Sequence, residues 1–310
     1  MRPLLHLHRL HFLLAVALLI GCSASNVASI EDGGAGQTAD ADADAALLQA
    51  RPYEYKEPAG YDPQRPTPLV LLLHGYKTSG AVQKVYFGLG TLADSAGFLL
   101  AYPDGTADSK GFLFWNATDA CCDTDRRGID DVGYLRAVLR DMKRRYNVDP
   151  RRVFVVGHSN GGFMGYRLAC ELSDELAGVV SMAGATWEDP GRCHPSSLVS
   201  VLQVHGDADD TVHYAGGAPS PPLLASYPSA RDTVARWMQY DGCAGPLADT
   251  GARLNLVSNL PDGHTRVERA AGCPGAAVEL WTIQGGVHIP PLLPTFAASV
   301  YGFLMAHPKP

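Results

Sequence analysis

Short, mainly apolar runs alternate with amphipathic stretches from about residue 51 onward. A run of this kind is typical of a strand that is covered on both faces of a sheet. Six segments have this character: residues 69–73, 98–102, 153–156, 178–182, 199–204 and 278–283. Strands that alternate with helices need crossover connections, so the pattern predicts a mostly parallel central sheet with helices on both faces.

The helical stretches predicted between these runs are residues 82–95, 131–146, 160–172, 230–240 and 294–307. In the second of them, Leu135, Val138, Leu139 and Met142 recur at the spacing of one helix face. No internal repeat or second domain is evident, so we expect one α/β domain over residues 51–310. The Pro- and Gly-rich residues 214–228 are expected to form a surface loop beside the functional site.

The first 21 residues have the pattern of an export signal. A basic start is followed by a short apolar core that ends in Leu19-Ile20-Gly21-Cys22. This ending resembles a bacterial lipobox, which predicts acylation of Cys22 and attachment to a membrane surface. The alternative is an ordinary signal peptide that is cleaved a little later, in which Cys22 has no role.

Residues 22–50 are small, acidic and without periodicity, which predicts a flexible tether between the anchor and the domain. Asp40, Asp42 and Asp44 alternate, as calcium ligands do. The glycine and the distal glutamate of an EF-hand loop are missing, so we favour a solvated linker.

The charge of the chain limits the kinds of partner that it can bind. The net charge is −7 and no basic stripe is present, which argues against a nucleic-acid partner.

Of the seven cysteines, six follow Cys22, and an even number in an exported chain favours disulfides. Cys243 and Cys273 flank one insertion and are expected to pair. Cys121 and Cys122 are then expected to pair with Cys170 and Cys193, in an order that the sequence leaves open.

Gly157-His158-Ser159-Asn160-Gly161 lies between a predicted buried strand and a predicted helix. A G-x-S-x-G sequence in this context predicts a nucleophilic serine on a tight turn above the sheet. Glycines at both ends remove side chains that would collide in such a turn. The structural alternative is a glycine-rich turn in which the serine only caps the helix.

Several further segments match in order, and with them the chain resembles the α/β-hydrolases of the polyhydroxybutyrate depolymerase and feruloyl esterase group. The matching segments are residues 69–75, 101–105, 115–116, 121–122, 130–134, 157–162, 167–171, 205–206 with Asp209, and 285–286 with His288. The resemblance covers most of the chain after residue 50. It implies a secreted serine esterase with an α/β-hydrolase fold, and some relatives carry a lipid anchor.

A serine nucleophile needs a base and an orienting acid, which in this fold follow in the order Ser, Asp, His. The resemblance places the acid at Asp209, with Asp207 and Asp210 as rivals in the same loop. His288 follows the last predicted strand and a glycine turn, and is the expected base. His74 and His205, which end buried strands, are expected to serve in packing.

The oxyanion hole needs two backbone N–H groups. These are expected from Asn160, directly after the nucleophile, and from Tyr76, in the loop after the first central strand. Tyr76, Trp115, His158 and Val287 are candidates for the substrate pocket. Many relatives have glycine and tryptophan around the base where this chain has Val287 and Ile289-Pro290, so the pocket wall should differ. No metal or nucleotide signature is present, and we expect no cofactor.

The combined prediction is an exported hydrolase of carboxylic esters, either hydroxyalkanoate polyesters and oligomers or feruloyl esters of polysaccharide. One alternative is a serine peptidase of the same fold, although no propeller-like extra domain is present. The other is a surface lipoprotein that uses the fold only for binding.

Overall fold

The computed structural model describes residues 33–218 and 220–310, with side chains from residue 41 onward. Its helices are α1 (Gly33–Ala50), α2 (Gly80–Phe87), α3 (Leu89–Ala96), α4 (Asp131–Arg145), α5 (Asn160–Glu171), α6 (Ala230–Tyr240) and α7 (Pro294–Ala306). Its strands are β1 (Tyr55–Lys56), β2 (Thr67–Leu73), β3 (Leu99–Ala101), β4 (Thr106–Ala107), β5 (Leu113–Phe114), β6 (Val148–His158), β7 (Gly178–Met182), β8 (Ser200–Gly206), β9 (Leu247–Leu254), β10 (Thr265–Ala270) and β11 (Val278–Ile283).

Nine strands form the main sheet, in the order β1-β3-β2-β6-β7-β8-β11-β10-β9. The six strands that run from β3 to β11 in this order are the six predicted strands. They pair with one another in parallel. The pairings at the two edges are antiparallel: β1 pairs with β3 at one edge, and at the other β10 pairs with β11 and β9 with β10. The predicted α/β class is confirmed, and residues Asp40–Pro310 form one unit.

Both faces of the sheet are covered, as the apolar runs predicted. In β2, Leu69, Leu71 and Leu73 pack toward the side that holds α4, α5 and α6. Val70 and Leu72 pack toward the side that holds α2, α3 and α7. Because alternate residues of a strand point to opposite faces, a sheet between two helical layers needs apolar residues at every position.

The expectation of a flexible tether is wrong for residues 33–50, which form α1. Alanine is the strongest helix former, and this segment is rich in alanine. Asp44 is buried and lies 3.5 Å from an Arg140 nitrogen and 3.3 Å from an Arg144 nitrogen, both on α4. The predicted signal peptide, Cys22 and the rest of the tether lie outside the described residues. No helix in the described ranges has both the length and the apolar character needed to cross a bilayer.

The disulfides agree with one expectation and correct the other. Cys243 pairs with Cys273, as expected. Cys121 and Cys122 do not pair with Cys170 and Cys193. Instead, Cys121 is joined to its neighbour Cys122, and Cys170 is joined to Cys193. Cys170 lies at the end of α5 and Cys193 in the connection from β7 to β8. The pairing depends on how these elements pack, which cysteine spacing does not encode.

Asp241, at the end of α6, supplies a prediction about stability. Its side chain is buried, Oδ1 accepts the Val199 N–H at 3.1 Å, and Oδ2 has no hydrogen-bond partner within the part of the chain that the structure describes. Burial raises the pKa of Asp241 to about 7, against the opposing effects of the Val199 N–H and the Lys309 charge. The folded protein therefore binds more protons than the unfolded chain between the ordinary aspartate pKa and about pH 7. Its free energy of unfolding should fall as the pH rises through that window.

We expect Asp241→Asn to raise the free energy of unfolding at pH 8 by on the order of 3 kcal/mol, because the variant has no carboxylate to ionise in the interior. Denaturant titrations at pH 4 and pH 8 measure this gain. At pH 4 the wild-type carboxyl is protonated in the folded state, so the gain should nearly vanish. A variant that is less stable than wild type at pH 8 would contradict the prediction.

Candidate active site

Ser159 lies on the turn between β6 and α5 with φ 53° and ψ −120°, a conformation that non-glycine residues rarely adopt. Its N–H donates to the carbonyl oxygen of Met182 at 2.8 Å. A Cβ on Gly157 would collide with the carbonyl oxygen of Gly161. The turn is therefore as tight as the sequence predicted, and the structure places the serine at the carboxyl edge of the parallel strands.

Asp209 and His288 reach the same edge from neighbouring strands. β8 and β11 pair in parallel up to Gly206 opposite Ile283, so the loops that carry the two side chains start side by side. His288 Nε2 lies 3.0 Å from Ser159 Oγ, and His288 Nδ1 lies 2.7 Å from Asp209 Oδ2. Three side chains that are far apart in sequence thus form one continuous hydrogen-bonded line.

The two rival carboxylates of the Asp209 loop are not in this line. Asp207 accepts the N–H of Gly285 at 2.6 Å and so supports the turn before His288. Asp210 is exposed and accepts the Thr211 hydroxyl at 3.3 Å. Asp209 is the acid that contacts the imidazole.

The Asp209 carboxylate is buried but fully hydrogen-bonded. Its Oδ1 accepts the N–H groups of Thr211 and Val212, both at 2.9 Å. Its Oδ2 receives His288 Nδ1 and lies 3.3 Å from His205 Nε2. Burial alone would raise the pKa of Asp209, but the bonds from His205 and His288 outweigh it and hold the pKa well below the usual range. A carboxylate in this position keeps the proton of His288 on Nδ1 and leaves Nε2 free to accept one.

His205 is a member of the site that the sequence analysis assigned only to packing. The Gln203 side-chain amide lies 3.0 Å from His205 Nδ1 and can only donate there, so the His205 proton is on Nε2. That N–H donates to the Val212 carbonyl oxygen at 2.7 Å, and Nε2 lies 3.3 Å from Asp209 Oδ2. The signal that could have found it is its spacing, four residues before the acid.

The expected oxyanion donors also lie at the nucleophile. Asn160 is the first residue of α5, so its N–H has no acceptor within the helix. A Cβ on Gly75 would lie 3.4 Å from Ser159 Cβ, which brings the loop that carries the Tyr76 N–H against the serine. The Asn160 side chain accepts the Trp115 N–H at 2.7 Å and donates to the Trp115 carbonyl at 2.9 Å. The start of α5 is thereby fixed against the neighbouring loop.

Trp115 supports this loop from inside and is not a pocket residue, which corrects the expectation. Its ring is fully buried, and Nε1 donates to the His74 carbonyl oxygen at 3.1 Å. His74 is also buried, and its Nε2 accepts the Gly105 N–H at 2.8 Å. Burial lowers the pKa of His74, so the imidazole is neutral and can accept that bond. Together the two rings hold the strand end that precedes Gly75.

His158 was expected to line the substrate pocket. It also lies against His288, the candidate base. Its Nε2 is 3.0 Å from the His288 carbonyl oxygen, which only accepts, so His158 Nε2 donates. Burial and the neighbouring His288 lower the pKa of His158 to about 3. The ring is therefore neutral at physiological pH and does not compete with His288 for the serine proton.

A cavity of about 580 Å³ opens beside Ser159 and His288. Tyr76 and His158 line it, as expected, and Ile289 lines it where Val287 was expected. Val287 is about half exposed and does not line the cavity. The remaining lining residues come from the loop after β2, from α2, from the Cys121–Cys122 disulfide, and from segments around Val212 and Leu223.

The described residues contain no cluster of three or more His, Cys, Asp or Glu side chains that could hold a metal ion. At the cavity, a hydroxyl, an imidazole and a carboxylate lie in hydrogen-bond contact. Such a line activates an alcohol as a nucleophile.

Comparison with known proteins gives sequence relatives that are named for ester hydrolysis. A family model described as Phospholipase/Carboxylesterase matches residues 124–238. NocK of Nocardia uniformis subsp. tsuyamanensis, provisionally named an esterase, is 32% identical over 71% of this chain and 64% of NocK. Feruloyl esterase B of Piromyces equi is 26% identical over 75% of this chain and 41% of that protein. Poly(3-hydroxyalkanoate) depolymerase C of Paucimonas lemoignei is 26% identical over 76% and 58%, respectively. The chain covers less than two thirds of the length of each.

Among solved structures, the acetyl xylan esterase from Aspergillus awamori superposes with a TM-score of 0.56 at 15% identity. The match covers 81% of this chain and 92% of that one. Esterase PE8 superposes with a TM-score of 0.53 at 17% identity, over 82% and 98% of the two chains. At these identities the likeness shows a shared fold, which is the α/β-hydrolase fold.

Proposed function

We propose that the chain, which has the α/β-hydrolase fold, is a carboxylic ester hydrolase with Ser159 as nucleophile, His288 as general base and Asp209 as orienting acid. The observation that carries the proposal is the hydrogen-bonded line from Ser159 Oγ through the imidazole of His288 to the buried carboxylate of Asp209. A serine side chain that serves only to cap a helix has no need of such a line. The names of the relatives support the choice of an ester as substrate.

The reaction follows from the contacts. Ser159 Oγ attacks the carbonyl carbon of the ester while His288 Nε2 takes the hydroxyl proton. Negative charge develops on the carbonyl oxygen, and the N–H groups of Asn160 and Tyr76 are the proposed donors to it. His288 returns the proton to the leaving alcohol as the carbon–oxygen bond breaks. Water then repeats these steps on the acyl-serine and releases the carboxylic acid.

The lining of the cavity supports esters with an apolar body. Val82, Tyr86, Leu223 and Ile289 supply carbon surface next to Ser159. We extend the proposal to short hydroxyalkanoate oligomers and hydroxycinnamate esters, the two substrate types that the names of the relatives indicate. We also propose export and a lipid anchor at Cys22, which rest on the basic start, the apolar core and the Leu-Ile-Gly-Cys sequence.

A fluorophosphonate probe tests the catalytic proposal directly, since it reacts with activated serines. We expect one label per molecule of purified protein, mapped by mass spectrometry to the peptide that contains Ser159. Protein denatured before labelling is the control, because the label depends on the assembled site. Absence of label, or a label on another serine, would overturn the proposal. Turnover of p-nitrophenyl esters and of the matched p-nitroanilides then separates an esterase from a peptidase.

A membrane-impermeant form of the same probe tests the location. Added to intact cells, it should label the protein, and the labelled protein should sediment with the membranes. Labelling only after lysis would contradict export. Labelled protein in the culture medium would contradict the anchor while leaving export and catalysis intact.

A further inference from the structure

The cavity beside Ser159 has one wall built from a single helix. Val82, Gln83 and Tyr86 of α2 all line it. The lining also includes the Cys121–Cys122 disulfide, Val212 and Leu223. Most of this surface is carbon, so a polar group within it makes a specific demand on whatever binds there.

Gln83 is that polar group. Its side chain is 2% exposed, and its Nε2 has no hydrogen-bond partner among the described residues. A buried amide without a partner is destabilising, because it has lost its bonds to water and gained none. Two other polar groups of the lining already have partners within the protein. Tyr86 O–H donates to the Pro290 carbonyl oxygen at 2.9 Å, and His158 Nε2 donates to His288.

We propose that the Gln83 amide binds an oxygen atom of the substrate, and that it selects esters that carry a hydroxyl group over alkyl esters of the same shape. An amide both donates and accepts, and a hydroxyl is the small group that matches both roles. This inference rests on the proposed ester hydrolysis and deepens it. It makes Gln83 a specificity-determining residue of the cavity, and it gives the substrate a polar group in addition to the ester bond that is cleaved.

Gln83→Met tests the proposal, because methionine has a similar length but lacks the amide donor and acceptor. Two isosteric pairs are compared by kcat/KM. The first is p-nitrophenyl 3-hydroxybutanoate with p-nitrophenyl 3-methylbutanoate, and the second is methyl 4-hydroxycinnamate with methyl 4-methylcinnamate. We expect wild type to prefer the hydroxylated member of at least one pair. Gln83→Met should reduce that preference about 10-fold, the effect of removing one partner of a buried hydrogen bond. Gln239→Met, the same change at an exposed position of α6, is the matched control and should retain the preference.

Two outcomes would overturn the role of Gln83: no preference in wild type for either pair, or a preference that Gln83→Met leaves unchanged. The first needs no variant, so the proposal remains testable if the substitution prevents folding, and Gln83→Leu provides a second variant. Hydrolysis of both members with an unaltered ratio refutes only the role of Gln83. Failure of fluorophosphonate labelling, together with no turnover of any ester, refutes the proposed function itself.

Discussion

Alanine at Ser159 should lower kcat for ester hydrolysis about 10⁶-fold, and alanine at His288 should lower it by about as much. The reason is that the hydroxyl and the imidazole act as one unit. Without Nε2 at 3.0 Å the serine hydroxyl keeps its proton, and without Oγ the imidazole has no nucleophile to activate. The double variant should therefore be no slower than either single variant.

Single-turnover and steady-state assays on a p-nitrophenyl ester measure these losses against the background rate in buffer. His194→Ala is the matched control for His288→Ala, since His194 is exposed and lies outside the cavity lining. Its kcat should stay within about 2-fold of wild type, as expected for a surface substitution. A His288→Ala variant with near wild-type turnover would show that another group is the base.

Asp209→Asn should lower kcat about 10⁴-fold while leaving the fold intact. In the wild-type protein, the Asp209 carboxylate accepts a hydrogen bond from the Nδ1–H group of His288. An asparagine whose carbonyl oxygen retains the N–H bonds of Thr211 and Val212 turns its NH₂ group toward Nδ1. The imidazole proton then moves to Nε2, the atom that must accept the serine proton, and the base is blocked.

Asp210→Asn makes the same chemical change one residue away, on an exposed side chain that does not contact the imidazole. We expect it to leave kcat near the wild-type value, and circular dichroism should show all three proteins folded. Equal losses in Asp209→Asn and Asp210→Asn would mean that the loop is disturbed as a whole. In that case the orienting role would not belong to Asp209.

The central strands were predictable from the sequence, because a sheet that is covered on both faces requires mainly apolar side chains in them. All six of the apolar-rich runs are strands. The antiparallel edge strands β9 and β10 were missed. β9 is largely exposed and carries polar residues that resemble a loop. The helix predicted over residues 82–95 is two helices, because Gly88 adopts φ 71° and ends the first of them.

The candidate site was predictable where order along the chain determines position in space. Parallel strands bring their carboxyl ends to one edge, so residues after β6, β8 and β11 had to approach one another. Side-chain direction was not predictable in the same way. The Trp115 side chain points inward, Val287 is half exposed, and the buried His205 side chain contacts Asp209.

The bond from His158 to the carbonyl oxygen of His288 links the residue before the nucleophile with the backbone of the base. Any excursion of the loop after β11 must therefore either break this bond or draw the turn at the end of β6 along with it. The separation between the hydroxyl oxygen and the imidazole is protected in this way against thermal motion of either loop. We therefore expect the loops that carry Ser159 and His288, 129 residues apart in the chain, to move together when substrate binds.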